Sequence, residues 1–192
     1  MVKLSRVNSI LLMLIIAINA YIIVAPFAPN LWYWWQKNHG SQAAQLSDRI
    51  HKAQTDEKST QNKLIIPSML LDQPVLEGHD TYAILNKGIW RWPDGSTPDR
   101  DGNTTLIGHR FTYTNPRGVF YFLNKVRVGD RLGVSWQGKL YRYKVHTIKV
   151  VPPSDTSILE STKEPSLTLY TCTPLWSPKD RLVVVARLEE IL

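Results

Sequence analysis

The sequence predicts a mainly β domain, an antiparallel barrel or sandwich, preceded by a membrane-spanning helix. Three observations predict it. From Lys63 onward the chain is a succession of short runs rich in β-branched and aromatic residues, cut by Gly and Pro turns. Near the start, Val7 to Leu31 carries no charged residue. Between the two, residues 36–62 are polar and short of apolar anchors. The expected division is therefore 1–35 (short leader and transmembrane anchor), 36–62 (stalk or linker) and 63–192 (β domain).

The apolar segment exceeds the about 20 residues that a helix needs to cross a hydrocarbon core. Asn8 and Asn19 interrupt it with polar side chains. Lys3 and Arg6 precede it, so the positive-inside rule puts the N-terminus in the cytoplasm and the remainder outside. Trp32, Tyr33, Trp34 and Trp35 follow at once and read as an interfacial aromatic belt. A cleavable signal peptide is the competing reading. Its apolar core is usually about 7–15 residues, and the Ala25-Pro26-Phe27-Ala28 stretch is a poor cleavage site. An uncleaved anchor is the expectation.

In the stalk, Ala43 to Ala53 has helical character, with Leu46 and Ile50 one turn apart. The β domain opens with candidate strands at Lys63–Pro67 and Pro74–Leu76. Tyr82–Gly88 reads as a short helical segment closed by its glycine. Asp94 to Asn103 is a turn-rich loop, and Asn103–His109 a strand. Phe120 to Val126 reads as another short helix. Arg131–Trp136 and Lys139–Val151 are strands joined by a Gln137-Gly138 hairpin turn. Alternation slips along the second of these, which predicts a bulge near His146–Thr147. Ser166–Cys172 and Arg181–Leu188 are the last two strands.

A net charge of +7 raises nucleic-acid binding as a possibility. The Lys and Arg residues are scattered and no recognition motif accompanies them, so a solvated basic surface beside an anionic membrane or wall is the better reading. Cys172 is the only cysteine, which excludes an intramolecular disulfide. It is either a reactive thiol or a small buried hydrophobe.

Thiol chemistry requires an accessible sulfur, a base and an oxyanion stabiliser. Of the five histidines, His39 and His51 lie in the stalk, His79 in a loop and His146 on a polar strand face. His109 ends a strand, where site residues are commonly placed. Arg110, Arg181 and Arg187 are the candidate arginines, and spacing alone leaves them open.

Together these segments resemble a family. Leu106-Ile107-Gly108-His109-Arg110, then Thr168-Leu169-Tyr170-Thr171-Cys172, then Arg181-Leu182-Val183-Val184-Val185-Ala186 are similar to the signature segments of sortases, the membrane-anchored cysteine transpeptidases of Gram-positive-type cell walls. Smaller matches occur in the family's order, among them Asn86-Lys87-Gly88, Asp101-Gly102-Asn103 and Val128-Gly129-Asp130. The resemblance covers about Leu64 to Leu188 and implies a single closed β-barrel of about eight strands with short helices.

It also implies roles. Cys172 would attack the Thr–Gly carbonyl of a Leu-x-x-Thr-Gly type sorting signal and hold a thioacyl intermediate. His109 would act as acid and base, and Arg181 would hold the substrate backbone and the oxyanion. Thr171 would line the pocket, and the backbone N–H of Thr173 would complete the oxyanion hole. Trp90 and Trp176 are expected as groove contacts for an apolar substrate residue.

The short Cys–Arg loop with Pro174 and Pro178 resembles class D and class E sortases. No Asp-Pro-aromatic lid motif lies between Gln36 and Asn62. Some relatives bind calcium, but Asp94, Asp99 and Asp101 read as turn residues, so neither metal nor cofactor is expected. The implied partners are exported proteins bearing a sorting signal and an amine on a wall precursor or another protein. No nucleic-acid partner is expected. The implied location is the cell membrane, single-pass, with the catalytic domain outside. The alternatives are a wall L,D-transpeptidase, whose Ser-x-Gly-Cys stretch is absent here, and a tethered non-catalytic binding domain.

Overall fold

A computed structural model describes residues 4–52, 61–112 and 116–192. The chain forms two compact units, Met1–Gln42 and Ala43–Leu192.

The first unit is helical. Helix α1 spans Leu4–Val24 and α2 spans Ala28–His39, with one 3-10 turn between them. The 18 residues Val7–Val24 have a mean hydropathy of 2.4 and are wholly unburied. A helix of this length and composition, with no protein cover, fits a single-pass membrane anchor. Within it the Asn19 side chain donates to the Ile15 carbonyl at 2.7 Å. That bond inside its own helix lowers the cost of an amide in lipid. On α2, Trp32, Trp34 and Trp35 are exposed.

The second unit is an eight-stranded closed barrel. In chain order the strands are β1 (Lys63–Ile66), β2 (Leu71–Leu76), β3 (Ile89–Arg91), β4 (Asn103–Ile107), β5 (Arg131–Trp136), β6 (Lys139–Val151), β7 (Ser166–Thr173) and β8 (Asp180–Ile191). Around the barrel they run β1-β2-β3-β4-β7-β8-β6-β5, and β5 closes on β1. Closure removes sheet edges that would otherwise template aggregation. The interior is aliphatic and aromatic, with Leu64, Leu106, Leu132, Tyr143, Leu167 and Leu169 fully buried.

The expected hairpin is present. Gln137 and Gly138 both have positive φ (48° and 81°), as a two-residue turn between right-twisted strands requires. The bulge is present too: Val145 pairs with Ala186 and Thr147 with Val185, which leaves His146 as the extra residue.

Three features differ from the sequence reading. Two neighbouring pairs, β2/β3 and β4/β7, are parallel rather than antiparallel. Phe120–Val126 holds only a 3-10 turn at Leu123–Lys125, closed by the Leu123 N–H donating to the Phe120 carbonyl and similar one-turn bonds. Helix α3 (Gln42–His51) lies on the barrel instead of standing clear of it. Its Leu46 and Ile50 are buried against Ile65 of β1, and its Arg49 pairs with Asp72 of β2 at 2.6 Å. A short helix α4 (Thr81–Leu85) follows β2, capped by Asp80 accepting from the Ala83 N–H.

Candidate active site

The site is built by strand register. In the parallel β4/β7 pair, Asn103 faces Ser166 and Ile107 faces Tyr170. The offset is constant, 166 − 103 = 170 − 107 = 63. It equals 172 − 109, so continuing the pairing two residues past Ile107 sets His109 beside Cys172. Contacts beyond the ladder keep that offset. The Thr171 hydroxyl donates to the Gly108 carbonyl at 2.7 Å, and the Arg110 guanidinium donates to the Thr173 hydroxyl at 2.8 Å. On the other side of β7, antiparallel β8 places Arg181 directly opposite Cys172. Directly opposed residues project from the same face of a sheet. Cys172, His109 and Arg181 accordingly line one cavity of about 160 Å³, with Leu85 and Tyr170 among its other walls.

His109 is held from behind by the loop that follows it. Phe120 N–H donates to the His109 carbonyl at 2.9 Å, and Gly118 N–H donates to the Arg110 carbonyl at 3.2 Å. A side chain at Gly118 would collide with backbone atoms of His109 and Arg110, so only glycine permits this approach. Burial pulls the His109 imidazolium below its ordinary value of 6.5. The neutral ring, able to take a proton, therefore dominates at neutral pH. Burial raises the Tyr170 phenol, Arg181 opposes the rise, and negative charge on Cys172 adds to it. That coupling marks Tyr170 as a neighbour of both residues.

The three candidate arginines separate. Arg110 is buried, and its donors are directed at the Tyr121 carbonyl (3.4 Å) and at Thr173. It ties the His109 segment to the end of β7. Arg187 pairs with Ser166, at the far end of β8 from Cys172. Arg181 is the one of the three on the cavity wall.

Thr171 lines the Cys172 cavity as expected, its side chain buried and its hydroxyl donating to the Gly108 carbonyl. The two tryptophans lie away from that cavity. Trp90 on β3 is a core residue: it is 4% exposed, its indole N–H donates to the Gly78 carbonyl, and it lines neither cavity beside His109. Trp176 is exposed and packs edge-to-face on Phe111, with ring centroids 4.6 Å apart. Leu85 and Tyr170 were not anticipated. Tyr170 was detectable, being two residues before Cys172 on the same strand face. Leu85 reaches the site through the packing of α4, which leaves no local signal.

A second, larger cavity of about 290 Å³ adjoins the first and shares Leu85 and His109 with it. Among the described residues no group of three or more His, Cys, Asp or Glu side chains is arranged to hold a metal ion.

Comparison with known proteins bears on the family. Sortase E1 of Streptomyces coelicolor is 33% identical over 142 residues, covering 66% of this chain and 40% of that protein. Sortase D of Bacillus subtilis is 34% identical over 113 residues, 58% of this chain and 53% of that protein. The chain thus spans about half the length of these two curated relatives. Among solved structures, a Clostridium perfringens sortase D5 transpeptidase superposes with a TM-score of 0.60 at 25% identity, over 78% of this chain and 96% of that one. Sortase E1 of Streptomyces coelicolor with a tripeptide in its active site superposes with a TM-score of 0.60 at 29% identity, over 69% of this chain and 90% of that one. Residues 64–189, nearly the whole barrel, match the Sortase domain, and with a thiol, an imidazole and a guanidinium on one cavity of that barrel the chain belongs to the sortase family.

Proposed function

We propose that the protein is a membrane-anchored cysteine transpeptidase. It cleaves a Leu-x-x-Thr-Gly type sorting signal between Thr and Gly and transfers the exported protein to a wall or protein amine. The observation that supports this reading best is the shared cavity of Cys172, His109 and Arg181, set by adjacent strand registers.

In this reading the Cys172 thiol gives its proton to the neutral His109 imidazole as its sulfur attacks the threonine carbonyl carbon. The oxygen gains negative charge, and Arg181 with the Thr173 backbone N–H stabilises it. A guanidinium suits the role because its charge is fixed and its donors are planar. His109 protonates the departing glycine amine as the C–N bond breaks. A thioacyl enzyme remains. An incoming amine then gives a proton to His109, attacks the thioester carbonyl and releases the thiolate, restoring the free enzyme.

Support for the location comes from Val7–Val24 of α1, apolar and long enough to span, with Lys3 and Arg6 ahead of that stretch. The reading places the barrel outside the membrane, where sorting signals and wall amines meet.

The test is incubation of the full chain in detergent with Leu-x-x-Thr-Gly peptides and an amine, followed by mass spectrometry. A thioacyl adduct on Cys172 and a transpeptidation product are expected. Cys172→Ala should abolish both, and His109→Ala and Arg181→Ala should each lower turnover by at least about a hundredfold. Full turnover in any of the three variants would sink the assignment.

A further inference from the structure

Two cavities meet at His109. One contains Cys172; the other does not, and is bounded by Gln73 of β2, the Asn86–Gly88 turn after α4, and Arg117 in the loop behind His109. Among the described residues its charged side chains are Lys87 and Arg117, with His109 at the junction, and no carboxylate lines it.

We propose that this second cavity receives the amine substrate, and that Lys87 and Arg117 select amines carrying a nearby carboxylate. The inference rests on the transpeptidase reading above and extends it to the second substrate. Microscopic reversibility carries the first half. The entering amine must attack along the path by which the leaving amine departed, within reach of the same imidazole. The acyl chain occupies the Cys172 cavity, and the second cavity is the space that shares Leu85 and His109 with it.

Charge carries the second half. Two cations favour a carboxylate, and they disfavour a bound ammonium, which shifts the entering amine toward its neutral, nucleophilic form. In the transfer step the neutral amine nitrogen attacks the thioester carbonyl. A C–N bond forms, the C–S bond breaks, and the amine proton passes to the His109 imidazole. The departing sulfur leaves as thiolate and recovers a proton from the imidazolium.

The experiment is a competition in the full chain, between glycylglycine and glycylglycinamide at equal concentration, with one sorting-signal peptide as acyl donor. The two acceptors differ only in carboxylate against amide. Thioacyl formation is followed separately by mass spectrometry. The wild type should favour the acid by about five- to tenfold at low salt, and less as salt is added. Lys87→Gln with Arg117→Gln should bring the product ratio close to parity, and Lys87→Glu with Arg117→Glu should favour the amide. Equal yields in the wild type, or a preference that survives both double variants, would overturn the inference while leaving the transpeptidase reading intact. A wild-type protein that forms no thioacyl adduct would overturn both.

Discussion

Gly118 and His109 show how a residue away from the sulfur sets the chemistry. A Cβ at position 118 would meet the His109 carbonyl and the Arg110 carbonyl carbon, both backbone atoms with no freedom to rotate aside. Gly118→Ala should therefore displace the imidazole. Turnover is expected to fall by about a hundredfold while thiol reactivity of Cys172 toward a small reagent changes little, a split read by parallel peptide and thiol assays. The His109 ring also has a definite pH signature. Burial lowers its folded value below 6.5, so below pH 6.5 the unfolded chain takes up a proton that the folded chain resists. Stability should fall as pH drops through 6.5 and level off once the folded ring is also protonated. Thermal melts of the wild type and His109→Gln should show this part of the acid sensitivity missing in the variant; equal pH dependence would contradict it. At this scale the sequence was informative about charge-bearing residues. A lone cysteine, a histidine 63 residues before it (172 − 109) and an arginine opening the next strand are all visible without coordinates. Aromatic placement was not. Trp90 looks like a groove residue beside a turn-rich loop, yet its indole satisfies Gly78 in the core, because burial of a tryptophan depends on what closes over it.

Helix α3 carries the main lesson at the scale of elements. Its two aliphatic residues one turn apart are too few to predict docking, and the polar sequence around them reads as linker. What decides the matter is the partner surface: Ile65 on β1 is buried only because Leu46 and Ile50 cover it, and Gly133 on β5 leaves space for Ile50. A chain starting at Lys63 should be less stable than one starting at Ala43 by about 3–5 kcal/mol, the value of two buried aliphatic side chains. Urea unfolding of the two chains measures the difference, and coincident curves would show α3 to be an ornament. The parallel pairing of β4 and β7 was likewise hidden. Alternation reports which face of a strand is buried, not the direction of its neighbour. Strand positions, the hairpin at Gln137-Gly138 and the bulge at His146 were legible because each has a local steric cause.

For the whole molecule, the topology proposed above rests on few charges. Lys3 and Arg6 are the only charged residues ahead of the span, with Lys37 the first after it. Lys3→Glu with Arg6→Glu should reduce the fraction of chains with the barrel outside, scored by protease accessibility in spheroplasts. No change in that fraction would contradict the proposed orientation. The register that sets His109 beside Cys172 has a further bearing, on folding order. A parallel pair with an offset of 63 residues is a contact of high sequence separation, and such contacts form late. Strand β7 lies between β4 and β8, so its register is complete only after the C-terminal strand has joined. A chain emerging N-terminus first holds its imidazole without its thiol, then both without Arg181. Cys172 thus acquires its two neighbours only when the last strand closes the barrel, and a truncated or half-emerged chain would carry a cysteine without them.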